Sequence, residues 1–148
     1  MVHESSPTKT KMKKILKEGV IVAVAMFLFN MLLNLVFNFL MPTLQEQYMD
    51  NPVFRPWDDP VMMLFWAYPL ALGIAFAWVW SKTKKLFKGT PCQRGWNFGL
   101  VYFFISGLPI FIINYSSFDL PFAMIFTWTL MSFFNGVVAG KVLARINK

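Results

Sequence analysis

Residues 19–40 read GVIVAVAMFLFNMLLNLVFNFL. The stretch contains no charged side chain, and a helix of about 20 residues covers about 30 Å, the thickness of a bilayer's hydrocarbon core. It is too long for the apolar core of a signal peptide, and no small-residue cleavage site follows it, so it is expected to be a retained span that Met41-Pro42 ends. Three more stretches of this kind follow at 60–80, 95–114 and 120–143. The expected architecture is an all-α integral membrane protein: a four-helix transmembrane bundle over 14–148, behind a polar, basic tail at 1–13 that is disordered or surface-bound.

Composition agrees. Of the 148 residues, 57% are hydrophobic and only 14% charged, where a soluble domain carries about a quarter charged. A soluble fold of this size cannot hide 17 Phe, 10 Met and 6 Trp. Lipid can cover them.

The charges orient the spans. Thirteen of the fourteen Lys and Arg fall in the N-terminal segment, the central loop around Lys82–Arg94 and the C-terminal end, whereas five of the seven acids fall in the two opposite loops. Basic residues stay on the cytoplasmic side. Both termini are therefore expected in the cytoplasm (N-in/C-in) and the protein in the plasma (inner) membrane. Trp78, Trp80 and Trp96 are expected at the inner interface and Trp57 at the outer one. The juxtamembrane lysines favour anionic lipid at the cytoplasmic face. Charges divided in this way by a bilayer form no nucleic-acid surface.

Several function classes lose their usual residues. Cys92 is the only cysteine and His3 the only histidine, so a Cys-x-x-Cys pair is absent and the imidazole ligands of haem or catalytic zinc are lacking. No cofactor or metal is expected. No ionisable residue lies between the interfacial ends of the spans; Glu18 stands at the end of the first. Proton-coupled pumps keep such a group at membrane depth.

The candidate site residues are polar. Asn30, Asn34 and Asn38 stand four apart and stack along one helix face. Carboxamides toward lipid are costly, so this face is expected to turn inward, bonding other helices or lining a site. Ser106, Asn114 and Asn135 can complete either arrangement. In the outer loop, Arg55, Trp57, Asp58 and Asp59 form a second cluster, with a cap at the following helix and an ion pair to Arg55 as its simplest role. A short interfacial helix is expected over 44–49, and kinks at Pro69 and Pro109. Gly136-x-x-x-Gly140 and the stripe Ala67, Ala71, Ala75 are expected to pack against neighbouring helices. Spans one and two parallel spans three and four: Asp59-Pro60 and Asp119-Leu120-Pro121 open the second span of each hairpin, a pattern compatible with a parallel 2+2 hairpin repeat.

Tyr68-Pro69 with Gly73, Arg94-Gly95 with Phe98-Gly99, Pro109, Tyr115-Ser116-Ser117-Phe118, Pro121, Trp128 and Gly140 run through residues 55–145. In these the chain resembles a family of small four-span prokaryotic membrane proteins of unassigned function. The resemblance implies a compact four-helix fold and carries no catalytic residues.

The leading functional expectation is a non-enzymatic membrane protein that binds a lipid or apolar ligand within the bundle, or serves as a small subunit of a membrane complex. An oligomeric channel or facilitator lined by the span-one Asn face is the second. A lipid-modifying enzyme with an outer-face carboxylate site around Asp58 and Asp59 is the third.

Overall fold

The computed structural model describes residues 7–147; His3, the rest of residues 1–6 and Lys148 lie outside the described residues. Among the described residues every regular element is helical. Helix α1 (Pro7–Leu40) leads into a short α2 (Pro42–Met49). A 3₁₀ turn at Pro60–Met62 opens α3 (Met63–Thr83). Next come α4 (Pro91–Tyr102), a π-helical turn at Phe103–Gly107, α5 (Leu108–Ser117) and α6 (Phe122–Ile146). Four helical stretches are long and apolar enough to cross a membrane: α1, α3 with its 3₁₀ turn, α4 through α5, and α6. The chain is thus a multi-pass membrane protein. Its bundle has a basic end, with the start of α1, the α3–α4 turn and the end of α6, and an acidic end with α2 and the loops.

Helix α1 has 34 residues, about 50 Å at 1.5 Å per residue. Residues 7–13, expected as part of a disordered or surface-bound tail, are its first turns. They are rich in lysine, a good helix former, and Lys14 reaches Glu18 at 3.6 Å one turn on. The expected short helix over 44–49 is present as α2, with Pro42 in its first turn.

The bundle is closed at its basic half by glycine. A Cβ on Gly19 would lie 2.7 Å from Ile74 Cα, and one on Gly73 would meet the Gly19 carbonyl, so α1 and α3 touch backbone to backbone. Between α4 and α6, a Cβ on Gly95 would lie 2.8 Å from Lys141 N, and one on Gly99 2.8 Å from Val137 N. From the other side, a Cβ on Gly136 would lie 3.1 Å from Gly99 Cα and one on Gly140 2.9 Å from Gly95 Cα. The expected packing role of Gly136 and Gly140 is therefore met within the chain. In lipid such crossings gain their stability from close van der Waals contact, because hydrocarbon tails already solvate the side chains. Around these crossings sits the main core, with Val22, Met26, Phe76, Trp80, Phe98 and Leu143 buried. Trp80 is fully buried, stacked on Phe87 at 5.6 Å. It is a core residue, unlike the half-exposed Trp78, Trp96 and Trp57.

The acidic half is looser. The last buried residue of α1 is Met26, and α3 buries nothing before Gly73. Ala67, Ala71 and Ala75, expected to pack, are all exposed, since α1 crosses α3 at Gly73, on another face. A second, small core of Leu120, Met124 and Ile125 holds this end, packed against Leu44, Tyr48, Phe54 and Phe111.

The turns follow local chemistry. Thr90 caps α4 in a capping box with Gln93, and Gly89 before it takes φ +99°, a conformation that side-chain-bearing residues rarely adopt. Pro69 lies inside α3, which continues unbroken to Thr83. Pro109 stands just after a wider turn: a proline has no N–H to donate, and its ring crowds the carbonyl four residues back in a regular α-helix. The chain widens there into the π turn at Phe103–Gly107, which makes room.

Candidate functional site

The π turn decides the site. Where the third span widens, its side chains shift register against α6, and a groove of about 350 Å³ opens between them. Leu100, Phe103, Leu108 and Phe111 line one wall, and Phe126, Thr129, Leu130 and Phe133 the other. Thr129 is the only wall residue with a polar side chain, and its hydroxyl donates to the Ile125 carbonyl at 2.8 Å. That back-bond turns the hydroxyl to its own helix, so the groove surface is apolar. Ring contacts fix the walls: Phe103 meets Phe133 edge-on at 5.7 Å, and Phe111 meets Phe122 edge-on at 6.0 Å. A concave apolar site of this size falls within the range of small-ligand pockets, roughly 300–1,000 Å³.

Of the residues singled out by sequence, Ser106 lies in the π turn itself and is half-buried. Asn114 is half-buried on α5, its carbonyl accepting from Phe118 N–H at 3.1 Å. Asn135 is buried on α6, and its Oδ1 has no hydrogen-bond partner. Asn30 is half-buried with an equally unpartnered Oδ1. The packed pair Phe29–Phe134, at 6.0 Å, brings these two levels of α1 and α6 together. The Asn face differs from expectation beyond that point. Asn34 and Asn38 are exposed, because α1 leaves the core after Met26. None of these residues lines the groove, whose walls are ordinary apolar side chains.

The outer-loop cluster has a structural arrangement. Asp59 accepts from Val61 N–H at 2.8 Å and pairs with Arg55 at 2.8 Å. The Val61 N–H and then the Arg55 hydrogen bond hold its carboxyl below the usual aspartate range. Asp58 is exposed. Trp57 packs edge-on against Phe65 at 5.6 Å, while Tyr48 and Phe54 stack at 4.3 Å over the small core. A polar recess lies beside it, lined by Gln47, Asp50, Asn51, Pro52, Asp119, Leu120 and Pro121. Among the described residues, no three His, Cys, Asp or Glu side chains gather as a metal set.

Compared with known proteins, the chain matches no family model, no curated protein and no solved structure, so the functional case rests on this groove and its surroundings.

Proposed function

We propose that this is a non-enzymatic protein of the plasma (inner) membrane that binds a lipid acyl chain in the groove between its third and fourth spans. The groove carries this reading: its lining is apolar and comes from two stretches long and apolar enough to cross a membrane. A tail seated there exchanges contact with other tails for contact with fixed Phe and Leu side chains, so shape selects the ligand more than hydrophobicity does. The charge distribution supports a cytoplasmic basic end, with both termini inside and anionic lipid beside the lysines. Both hairpins cross on glycines in their basic half, which accords with a parallel 2+2 repeat. The test is retention. Native mass spectrometry of the full chain, extracted gently and washed with detergent, is expected to show one lipid adduct that outlasts the rest; a protein stripped evenly to bare mass would overturn the proposal.

A second reading has its own observation. Exposed Asn34 and Asn38 present carboxamides to lipid, which a second copy would relieve. The protein would then be an oligomeric facilitator for a small solute, with the Asn face at the shared path. Asn34→Leu is expected to lower solute flux in liposomes at least tenfold; unchanged flux, or none in the wild type, removes this reading.

A further inference from the structure

We infer a second binding site, independent of the groove: Arg94, held on Trp80 at the basic end, is a clamp for a phosphate group. The guanidinium carbon of Arg94 lies 5.0 Å from the centroid of the Trp80 ring. Trp80 is fully buried and cannot move aside, being stacked on Phe87 and edge-on to Phe98 at 5.4 Å. Arg94 Nε is buried without a partner, and so is Trp80 Nε1. Arg94 is only half-buried, and among the described residues its terminal nitrogens have no hydrogen-bond partner. The guanidinium is thus fixed by its inner edge and open at its outer one.

Two orphan donors in one place mark a shortage of acceptors. Among the described residues no acceptor relieves it. Glu18, buried at the same end, is paired with Lys14, and among the described residues Arg94 has no ion pair. At that end, among the described residues, cations outnumber the one acid, Glu18: Lys82, Lys84, Lys85 and Lys88 precede Arg94 in sequence, and Lys141 lies 5.1 Å over the Trp96 ring. Such a field draws anions. A planar guanidinium held at one angle presents two parallel N–H donors, the geometry that phosphate oxygens accept bidentately. A lysine there would offer only a mobile point charge. The shared ligand chemistry is a phosphate oxyanion, carried by an anionic phospholipid headgroup or free in solution.

The experiment is thermal unfolding of the purified full chain in detergent, with phosphatidylglycerol, with phosphatidylcholine of the same chains, or with inorganic phosphate at matched ionic strength. Phosphatidylglycerol is expected to raise the wild-type midpoint by about 4 °C at saturation, phosphatidylcholine much less, and Arg94→Lys to abolish the difference while Lys85→Gln keeps it. A rise with inorganic phosphate that Arg94→Lys also abolishes supports the clamp with the free anion as its source. No rise with either, a rise unchanged in Arg94→Lys, or a loss as complete in Lys85→Gln overturns it. If Arg94→Lys does not fold, wild-type retention decides: phosphatidylglycerol adducts that outlast phosphatidylcholine adducts in native mass spectrometry support the clamp, and equal retention overturns it.

Discussion

Gly99→Leu is expected to destabilise the bundle by about 3 kcal/mol or more, the upper range for overpacking a fitted contact. The reason is where the added atoms go. A Cβ at Gly99 already meets Val137 N at 2.8 Å, a backbone atom that no rotamer change can move. The rest of the leucine would wedge α4 from α6 along the contact that Gly95, Gly136 and Gly140 make with it. Lipid cannot compensate, because the contact gains stability from proximity and not from escaping water. Denaturant titration in mixed micelles, followed by tryptophan fluorescence, measures the loss. Ala71→Leu is the control: Ala71 is exposed on α3, and the same side chain there is expected to shift stability by less than about 0.5 kcal/mol. Equal effects at the two positions would contradict the glycine account of the fold.

Thr129→Trp is expected to reduce the retained lipid at least tenfold and to leave the fold intact. Thr129 lies on the α6 wall, its hydroxyl turned back to Ile125. An indole there occupies much of a groove of about 350 Å³, against Phe and Leu walls that accept an aromatic ring. The variant loses one hydrogen bond made within its own helix, a loss of about 1 kcal/mol, and gains ring contacts. Lipid retention should therefore fall far more than stability. Lipid analysis of purified protein beside a denaturant titration separates the two. Retention equal to wild type in the folded variant would remove the groove as the binding site.

The spans were legible because membrane depth demands long uncharged apolar runs, and residues 19–40 meet that demand without any tertiary information. The α4–α6 crossing was half legible. Gly136 and Gly140 announced a packing face, but their partners Gly95 and Gly99 sit near a helix start, where glycine also serves turns. The stripe Ala67, Ala71, Ala75 has the same small-residue spacing and is exposed. Spacing tells that a close approach is sterically allowed and does not tell which face a neighbour takes. The same limit applies to Asn34 and Asn38: the cost of an exposed carboxamide is real, yet α1 parts from the core above Met26 and leaves them outside.

The groove itself was not legible from its walls. Leu100, Phe103, Phe126 and Phe133 are what any membrane helix carries. Only Pro109 hinted at it, as a place where the third span must yield. A π-helical turn stands there, just before the proline, and Phe103 of that turn lines the groove. The burial of Trp80 was not legible for a related reason. A tryptophan near a span's end fits an interfacial belt, and only the packing of Phe87, Phe98 and Arg94 around it shows that it is core.

The bundle has a tightly crossed basic half and a looser acidic half with a groove; in the proposed function, the first fixes the helices and the second takes a lipid tail. The most direct measurement is photocrosslinking in membranes with a phospholipid carrying a diazirine in its acyl chain, followed by peptide mapping. The expected result is label concentrated on Leu108, Phe111, Phe126 and Leu130, and displaced by excess unlabelled lipid. Label spread evenly over exposed residues such as Leu35, Leu64 and Ile112, with no displacement, would contradict a lipid-binding groove.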